Sequence, residues 1–332
     1  MDGTYGGARH HGGGRWRGPD TRGRSPLVRG RVPAAVAAAA AGLLVFHRAV
    51  PDAGGLGSLL EAFLPWLGLV VPVLFVAALV RRSAVALVVL LLPAAVWGAL
   101  FGPLLLPADH GAADDLVVVQ HNVADDNPDP SGTAAAVAAA APDLIALEEL
   151  TPAALPAYTA ALAGEYPHHA VEGTVGLWSK RPLTGVRPLD IRPAGIGEDW
   201  NRGLRAVVGT ARGEVAVYVA HLPSVRIRAG GFASGLRDDS AARLGAAVAA
   251  EQVERVVLLG DLNSTVDDRG LAPVTALLDA PRRGFALSWP AAFPVSRIDQ
   301  VLARSVTVTG IRALPATGSD HLPVAARIRL GT

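Results

Sequence analysis

The first 107 residues constrain this chain more than any motif does. Three apolar stretches, at about 33–50, 57–80 and 84–107, each approach the roughly 20 residues needed to cross a hydrocarbon core about 30 Å thick. Arg81 and Arg82 separate the second from the third. A signal peptide supplies one such run, and no small-residue cleavage site ends the first. The pattern predicts a membrane domain over residues 32–107 with three transmembrane helices. A mean hydropathy of +0.35 with 18% charged residues fits a chain that is partly in lipid.

Arginine placement sets the expected orientation. Residues 1–31 are rich in Gly and Arg, carrying Arg9, Arg15, Arg17, Arg22, Arg24, Arg29 and Arg31 against Asp2 and Asp20, without apolar periodicity. This predicts a disordered cytoplasmic tail. The Arg81/Arg82 turn belongs on the same side, whereas the Pro51–Gly55 turn has no basic residue. His47 and Arg48, near the end of the first span, reach the outer interface by snorkelling. Three crossings then make this a multi-pass protein of the cell membrane, its N-terminus cytoplasmic and everything after Pro107 extracytoplasmic.

A polar linker is expected at 108–115, followed by a domain over 116–332 in which short β-branched runs alternate with Ala-rich stretches. Strands are expected at 116–121, 144–148, 175–179, 204–210, 215–221, 255–259, 298–303 and 306–311. Helices are expected at 133–141, 151–163, 238–251 and 272–278. This is an α/β pattern of single-core size. The net charge of +1 gives no global attraction to a polyanion. The absence of cysteine excludes disulfides, thiolate zinc sites and a cysteine nucleophile, so any metal must sit on oxygen or imidazole.

Polar residues gather at the ends of the apolar runs, where loops at a sheet edge collect side chains from distant sequence. Asn122 follows the first run; alone it reads as a turn former. Glu148 and Glu149 close the second. One would suit a helix cap, but a hard cation also needs only one or two carboxylates. His221 ends the run 215–220. Val256-Val257-Leu258-Leu259-Gly260-Asp261-Leu262-Asn263 carries Asp261 and Asn263 on alternate positions, which a continuing strand would point the same way. Asp299 opens one strand within Arg297-Ile298-Asp299, and Ser319-Asp320-His321 precedes the last. A carboxylate beside His321 would fix its tautomer and raise its basicity.

In order, these strings resemble the endonuclease/exonuclease/phosphatase superfamily over about residues 115–330. The resemblance implies a four-layer α/β sandwich, two packed β-sheets flanked by helices, with a divalent Mg²⁺ or Mn²⁺ in a cleft at the sheet edges. It implies metal contacts at Asn122, Glu149 and Asp320, and catalytic roles for His221, Asp261, Asn263, Asp299 and His321, with Asp299 paired to His321. Glu148 stands where the family usually has Gln, and register favours Glu149 as the ligand. The implied chemistry is in-line attack of water on phosphorus.

The layout of three helices followed by this domain is similar to actinobacterial membrane proteins of the VanJ-type glycopeptide-resistance group. That implies a lipid-linked envelope phosphate, such as a polyprenyl pyrophosphate, as substrate, with the bilayer as partner and no protein partner inferred. A tethered nuclease is an alternative, with Arg202, Arg205, Arg226 and Arg228 as phosphate contacts; the default reading of those arginines is solvated surface. A non-catalytic sensor or scaffold binding phospholipid head groups is a second alternative, and it predicts metal-independent binding without turnover.

Overall fold

The computed structural model describes residues 30–107 and 116–331. The tail expected over residues 1–31, all but its last two residues, and the linker expected at 108–115 lie outside the described residues. Helices α1 (Arg31–Phe46), α2 (Leu56–Ala62), α3 (Val70–Val80) and α4 (Ala84–Phe101) form the N-terminal part. With adjoining turns, Arg31–Ala49 and Ala84–Leu105 are long and apolar enough to cross a membrane. Ser83 caps α4, its hydroxyl accepting from the Ala86 amide at 3.3 Å.

The second apolar stretch departs from the expected straight span. It bends by 69° between Ala53–Ala62 and Leu64–Val80, so among the described residues two helices qualify as spans, or three if the bent pair is one. The break has a local and a tertiary cause. Pro65 sits at the start of a 3₁₀ stretch, Leu64–Leu69, where its missing N–H costs nothing. The preceding helix α2 carries Ser58 and Glu61, both fully buried. Such groups need polar partners, and apart from His47, 3.0 Å from Glu61, these lie in the C-terminal part. Arg269 donates from Nε and Nη2 to the Glu61 carboxylate at 2.8 and 2.9 Å. Ser58 Oγ donates to Asp268 at 2.6 Å.

The C-terminal part begins with β1 (Leu116–Asn122), α5 (Pro130–Ala138), β2 (Leu144–Glu148), α6 (Leu155–Leu162), β3 (His168–Glu172) and β4 (Val175–Ser179). It continues through β5 (Leu183–Pro188), β6 (Gly203–Thr210), β7 (Gly213–Ala220), a ribbon of β8 (Arg226–Arg228) and β9 (Gly231–Ala233), and α7 (Gly235–Ala249). Then come β10 (Arg255–Asp261), α8 (Ala272–Thr275), β11 (Asp299–Arg304), β12 (Thr307–Ala313) and β13 (Val324–Arg329). Strands β3 and β5, not expected from the sequence, are mostly half-exposed or exposed sheet edges without an apolar run.

One sheet has the order β12-β13-β1-β2-β4-β3 and the other β11-β10-β7-β6-β5. Their inner faces meet in a core that joins Val118, Ala146 and Leu177 of the first to Val217, Val257 and Val301 of the second. Outside the first sheet, Val137 of α5 and Tyr158 and Leu162 of α6 pack on Val119, Ile145 and Trp178. Outside the second, Leu244 and Val248 of α7 and Val274 of α8 pack on Tyr218, Val256 and Leu258. Helices, sheet, sheet and helices thus make four layers.

Strands β1 and β2 are parallel, as are β7 and β10. Their C-terminal ends therefore lie at one edge of each sheet. Strand β11 runs antiparallel to β10 and starts at that same edge, with Asp299 in register opposite Asp261.

Candidate active site

Each polar strand ending arrives at this edge by a different local device. Gly260 adopts φ +153°, and a Cβ there would collide with the Ala220 carbonyl, so only glycine lets β10 approach β7 this closely just before Asp261. The strand runs to Asp261, two residues past the expected 255–259, and stops there, so the alternation that a continuing strand would give Asp261 and Asn263 does not arise. Asn263 turns back with φ +48°, its amide N–H donating to Asp261 Oδ1 at 2.9 Å. Asparagine tolerates this left-handed backbone because its short side chain bonds locally. Glu149 lies just past β2 with φ +62°, an uncommon conformation for Glu, and turns into the cleft while Glu148 points inward, fully buried.

A cleft of about 520 Å³ opens here, lined by Asn122, Glu149, His221, Asp261, Asn263, Asp320 and His321 among others. Asn122 Nδ2 donates to Glu149 Oε1 and to Asp261 Oδ2, both at 3.1 Å, while its oxygen takes the Ala124 amide. Asn263 Nδ2 donates to the Leu222 carbonyl at 2.9 Å. His221 Nε2 is 3.7 Å from Asp261 Oδ2 and 3.8 Å from Glu149 Oε1. His321 Nδ1 is 2.8 Å from Asp299 Oδ2 and its Nε2 3.8 Å from Asp261 Oδ2. Asp299 lies below the cleft, behind His321. Asp320 sits at the mouth, its side chain 67% exposed and 4.0 Å from His321.

Electrostatics divide these groups. Burial would lower the His321 pKa, but Asp299 and Asp261 outweigh it and raise it to about 10, so the imidazolium persists at neutral pH. Burial, then Arg202 and His321, push His221 down to about 3, leaving it neutral. Arg202 Nη1 lies 3.3 Å from His221 Nδ1. The same nitrogen is 3.5 Å from Nε2, so its donation does not select a ring nitrogen; the Asp261 and Glu149 carboxylates beside Nε2 favour the imidazole proton there, facing the cleft. Burial raises Asp261 to about 7, with Asp299 adding to it and His321 opposing. Burial would raise Asp299 too, but His321 and its hydrogen bonds hold it below the ordinary carboxylate value. Burial and Asp299 push Glu148 well upward.

Sequence reasoning missed three supports. Gln120, fully buried one residue pair before Asn122, donates from Nε2 to Glu148 at 2.8 Å and to Asp299 at 2.9 Å. A buried polar residue inside an apolar strand was the available signal. Ser319 donates to the Asn122 carbonyl at 2.7 Å and accepts from the His321 amide at 3.0 Å, linking the first and last motifs. Arg202 is not solvated surface: it stacks 5.3 Å from the Trp200 ring centroid and reaches His221. Arg205 is buried and bonds Glu251 through two nitrogens at 2.8 and 2.9 Å, away from the cleft. Arg226 lines the cleft, and Arg228 is exposed on the ribbon.

The donor chemistry fits a hard divalent cation. Among the described residues, Asp261, Asp299 and His321 form a group whose ligand atoms lie within 4.8 Å of one another. An imidazolium cannot ligate, however, and its Nδ1 is committed to Asp299. The better-presented oxygens are those of Glu149, whose side chain is 31% exposed in the cleft, and Asp261, the pair now bridged by the Asn122 amide. Two carboxylates with room for water suit Mg²⁺ or Mn²⁺.

Similar folds occur in solved structures. Beta toxin from Staphylococcus aureus, in a crystal structure with bound magnesium ions, matches at a TM-score of 0.53 and 16% identity, covering 64% of this chain and 99% of that one. Sphingomyelinase C from Streptomyces griseocarneus matches at 0.50 and 21%, covering 65% and 99%. TDP2 from D. rerio, complexed with a single-strand DNA product, matches at 0.53 and 18%, covering 64% and 98%. At these identities the likeness is one of fold. No curated protein matches the sequence. A family model described as the Endonuclease/Exonuclease/phosphatase family matches residues 119–321, more than half of the chain, and with that match, the four layers and the polar cleft at their edge, the chain belongs to this family.

Proposed function

We propose that this chain is a membrane-anchored, divalent-metal-dependent phosphoesterase that hydrolyses a phosphate or pyrophosphate ester of a lipid on the extracytoplasmic side. The observation that carries the lipid reading is the composition of the cleft wall. Ala62 and Phe63, at the bend of the second apolar segment, line the same cleft as Glu149, His221, Asp261 and His321. A substrate anchored in a bilayer beside that segment has a short path to the cleft. The sphingomyelinase among the similar folds supports a phospholipid-type ester by analogy of fold alone.

The chemistry follows from the charges. Glu149, with Asn122 and Asp320 adjacent and Asp261 beside it, would hold Mg²⁺ or Mn²⁺, which would supply positive charge to a phosphate oxygen. Asp261, with a pKa near 7, is the carboxylate able to take the proton of an attacking water, and Asn263, bonded to Asp261, orients that water. His321, kept protonated by Asp299, and the neutral Nε2–H of His221 donate to oxygens on which charge grows. The water oxygen bonds to phosphorus as the ester oxygen leaves.

The test is Mg²⁺-dependent phosphate release by the full chain in detergent, from undecaprenyl pyrophosphate and from single- and double-stranded DNA, with His321→Ala as control. Release from the lipid, lost in the control, is the expected result. Cleavage of DNA alone would make the chain a tethered nuclease, and metal-independent lipid binding without turnover would make it a sensor.

A further inference from the structure

A second cavity, of about 480 Å³, lies between the apolar N-terminal helices and the C-terminal domain. This size falls within the range of about 300–1,000 Å³ typical of ligand pockets. Its lining is mostly apolar: Leu69, Val71 and Pro72 of the bent segment and Ala94 of α4 stand with Phe285 and Leu287 of the C-terminal part, and the polar members, Thr265, Asp267, Ser296 and Arg297, include two that are shared with the cleft. It adjoins the catalytic cleft: Ala62, Thr265 and Ser296 line both. At its other side the lining runs into residues such as Leu69 and Leu105, 57% and 64% exposed on helices apolar enough to cross a membrane.

We propose that this cavity receives the hydrocarbon chain of the substrate, at the end next to the phosphate, while the head group occupies the cleft. This rests on the lipid phosphoester reading above and adds where the chain goes. A phosphate lifted from the bilayer surface into the cleft draws its first methylene or isoprene units out of hydrocarbon. Each methylene left in water lowers the population of that complex about fourfold. An apolar passage from the lipid-facing helices to the cleft removes that penalty, and a polar metabolite has no use for it. Trp66 and Trp97 brace the passage, their indole N–H groups donating to the carbonyls of Val295 and Pro65, each at 2.7 Å.

The test compares chain lengths within one enzyme. The full chain in phosphatidylcholine nanodiscs is given undecaprenyl pyrophosphate, dioleoylglycerol pyrophosphate and the short, soluble geranyl pyrophosphate. The expected ratio of kcat/KM, long over short, is about tenfold or more, with the preferred long substrate identifying an isoprenoid or a diacyl chain. Ala94→Trp and Leu287→Trp fill the cavity and should bring that ratio close to one. Because the ratio is taken within each variant, a smaller folded fraction cancels. Should both variants fail to fold, photolabelling of the wild-type chain decides, using a prenyl pyrophosphate with a diazirine near its head group. Label within residues 62–72, 94–105 or 285–297 supports the assignment, and label confined to α1 overturns it. A ratio near one in the wild type, or unchanged in both folded variants, overturns the cavity assignment while leaving lipid hydrolysis standing. No turnover of any of the three substrates, with DNA cleaved, removes both.

Discussion

Asp261 and Asp299 stand directly opposite each other across the β10–β11 pair, and His321 bridges them, with Nδ1 2.8 Å from Asp299 and Nε2 3.8 Å from Asp261. Like charges in register destabilise a sheet, so the imidazolium is part of what makes this edge foldable as well as reactive.

Asp299→Asn should therefore lower kcat by about 10²–10³-fold while leaving the far-UV circular dichroism unchanged. The His321 pKa should fall from about 10 toward its ordinary 6.5. A folded-state pKa above the unfolded one contributes stability that is complete below pH 6.5 and is lost as pH rises through about 10. Wild-type stability should drop across that window and that of the variant should not. Equal alkaline losses in urea titrations of the two would contradict the bridge.

The pH–rate profile should rise as Asp261 loses its proton. Burial raises this carboxyl to about 7, so at low divalent concentration the limb should lie near pH 7. A bound cation favours the charged form, and raising Mg²⁺ should move the limb to lower pH. A limb that stays in place across a Mg²⁺ titration would assign the proton acceptor elsewhere.

Gln120→Leu removes the donor shared by Glu148 and Asp299, both fully buried. The expected cost is about 2–4 kcal/mol, since a buried carboxylate loses a hydrogen bond without gaining water. Chemical denaturation in detergent measures it, and a change under about 0.5 kcal/mol would mean the network tolerates the loss.

Arg269→Ala should loosen α2 from the C-terminal domain. Its guanidinium bonds the fully buried Glu61 and also the carbonyls of Val50 and His47, at 2.8 and 3.2 Å. The Glu61 carboxylate then keeps His47, 3.0 Å away, and the backbone amide at position 269, so the cost should stay below about 3–5 kcal/mol, that of a fully unpaired buried charge. Limited proteolysis should then cut near residues 50–63 faster, and protection equal to wild type would show that the contact does not hold the bend.

Acid stability should depend on Glu251. Burial would raise its carboxyl, but Arg205, the Val253 amide and Tyr218 together pull it from 4.5 down to about 2. A depressed folded-state value gives stability that is complete above pH 4.5 and is lost as pH falls through about 2. The stability gap between wild type and Glu251→Gln should shrink between pH 6 and pH 3, and a constant gap would assign the effect to packing.

Periodicity and local motif chemistry made the interior strands, the main helices and the strand-end positions of Asn122, Glu149, His221, Asp261 and His321 legible in the amino-acid order, because each run buries its own face. The apolar N-terminal stretches were legible from length alone. What the order of residues left open was how distant groups pair. It left open whether the strand continued far enough to align Asp261 with Asn263; the strand stops at Asp261 and a left-handed turn joins them. It treated Arg202 as solvated, whereas the β6–β7 pairing sets it against His221. It read residues 57–80 as one transmembrane helix, whereas Asp268 and Arg269, 210 and 208 residues away, hold Ser58 and Glu61 on one side of a bend. Hydropathy and periodicity report what a segment prefers by itself. The charge state of His321, the pairing of Glu61 with Arg269 and the cavity beside the cleft are set by neighbours that only the folded chain brings within a few ångströms.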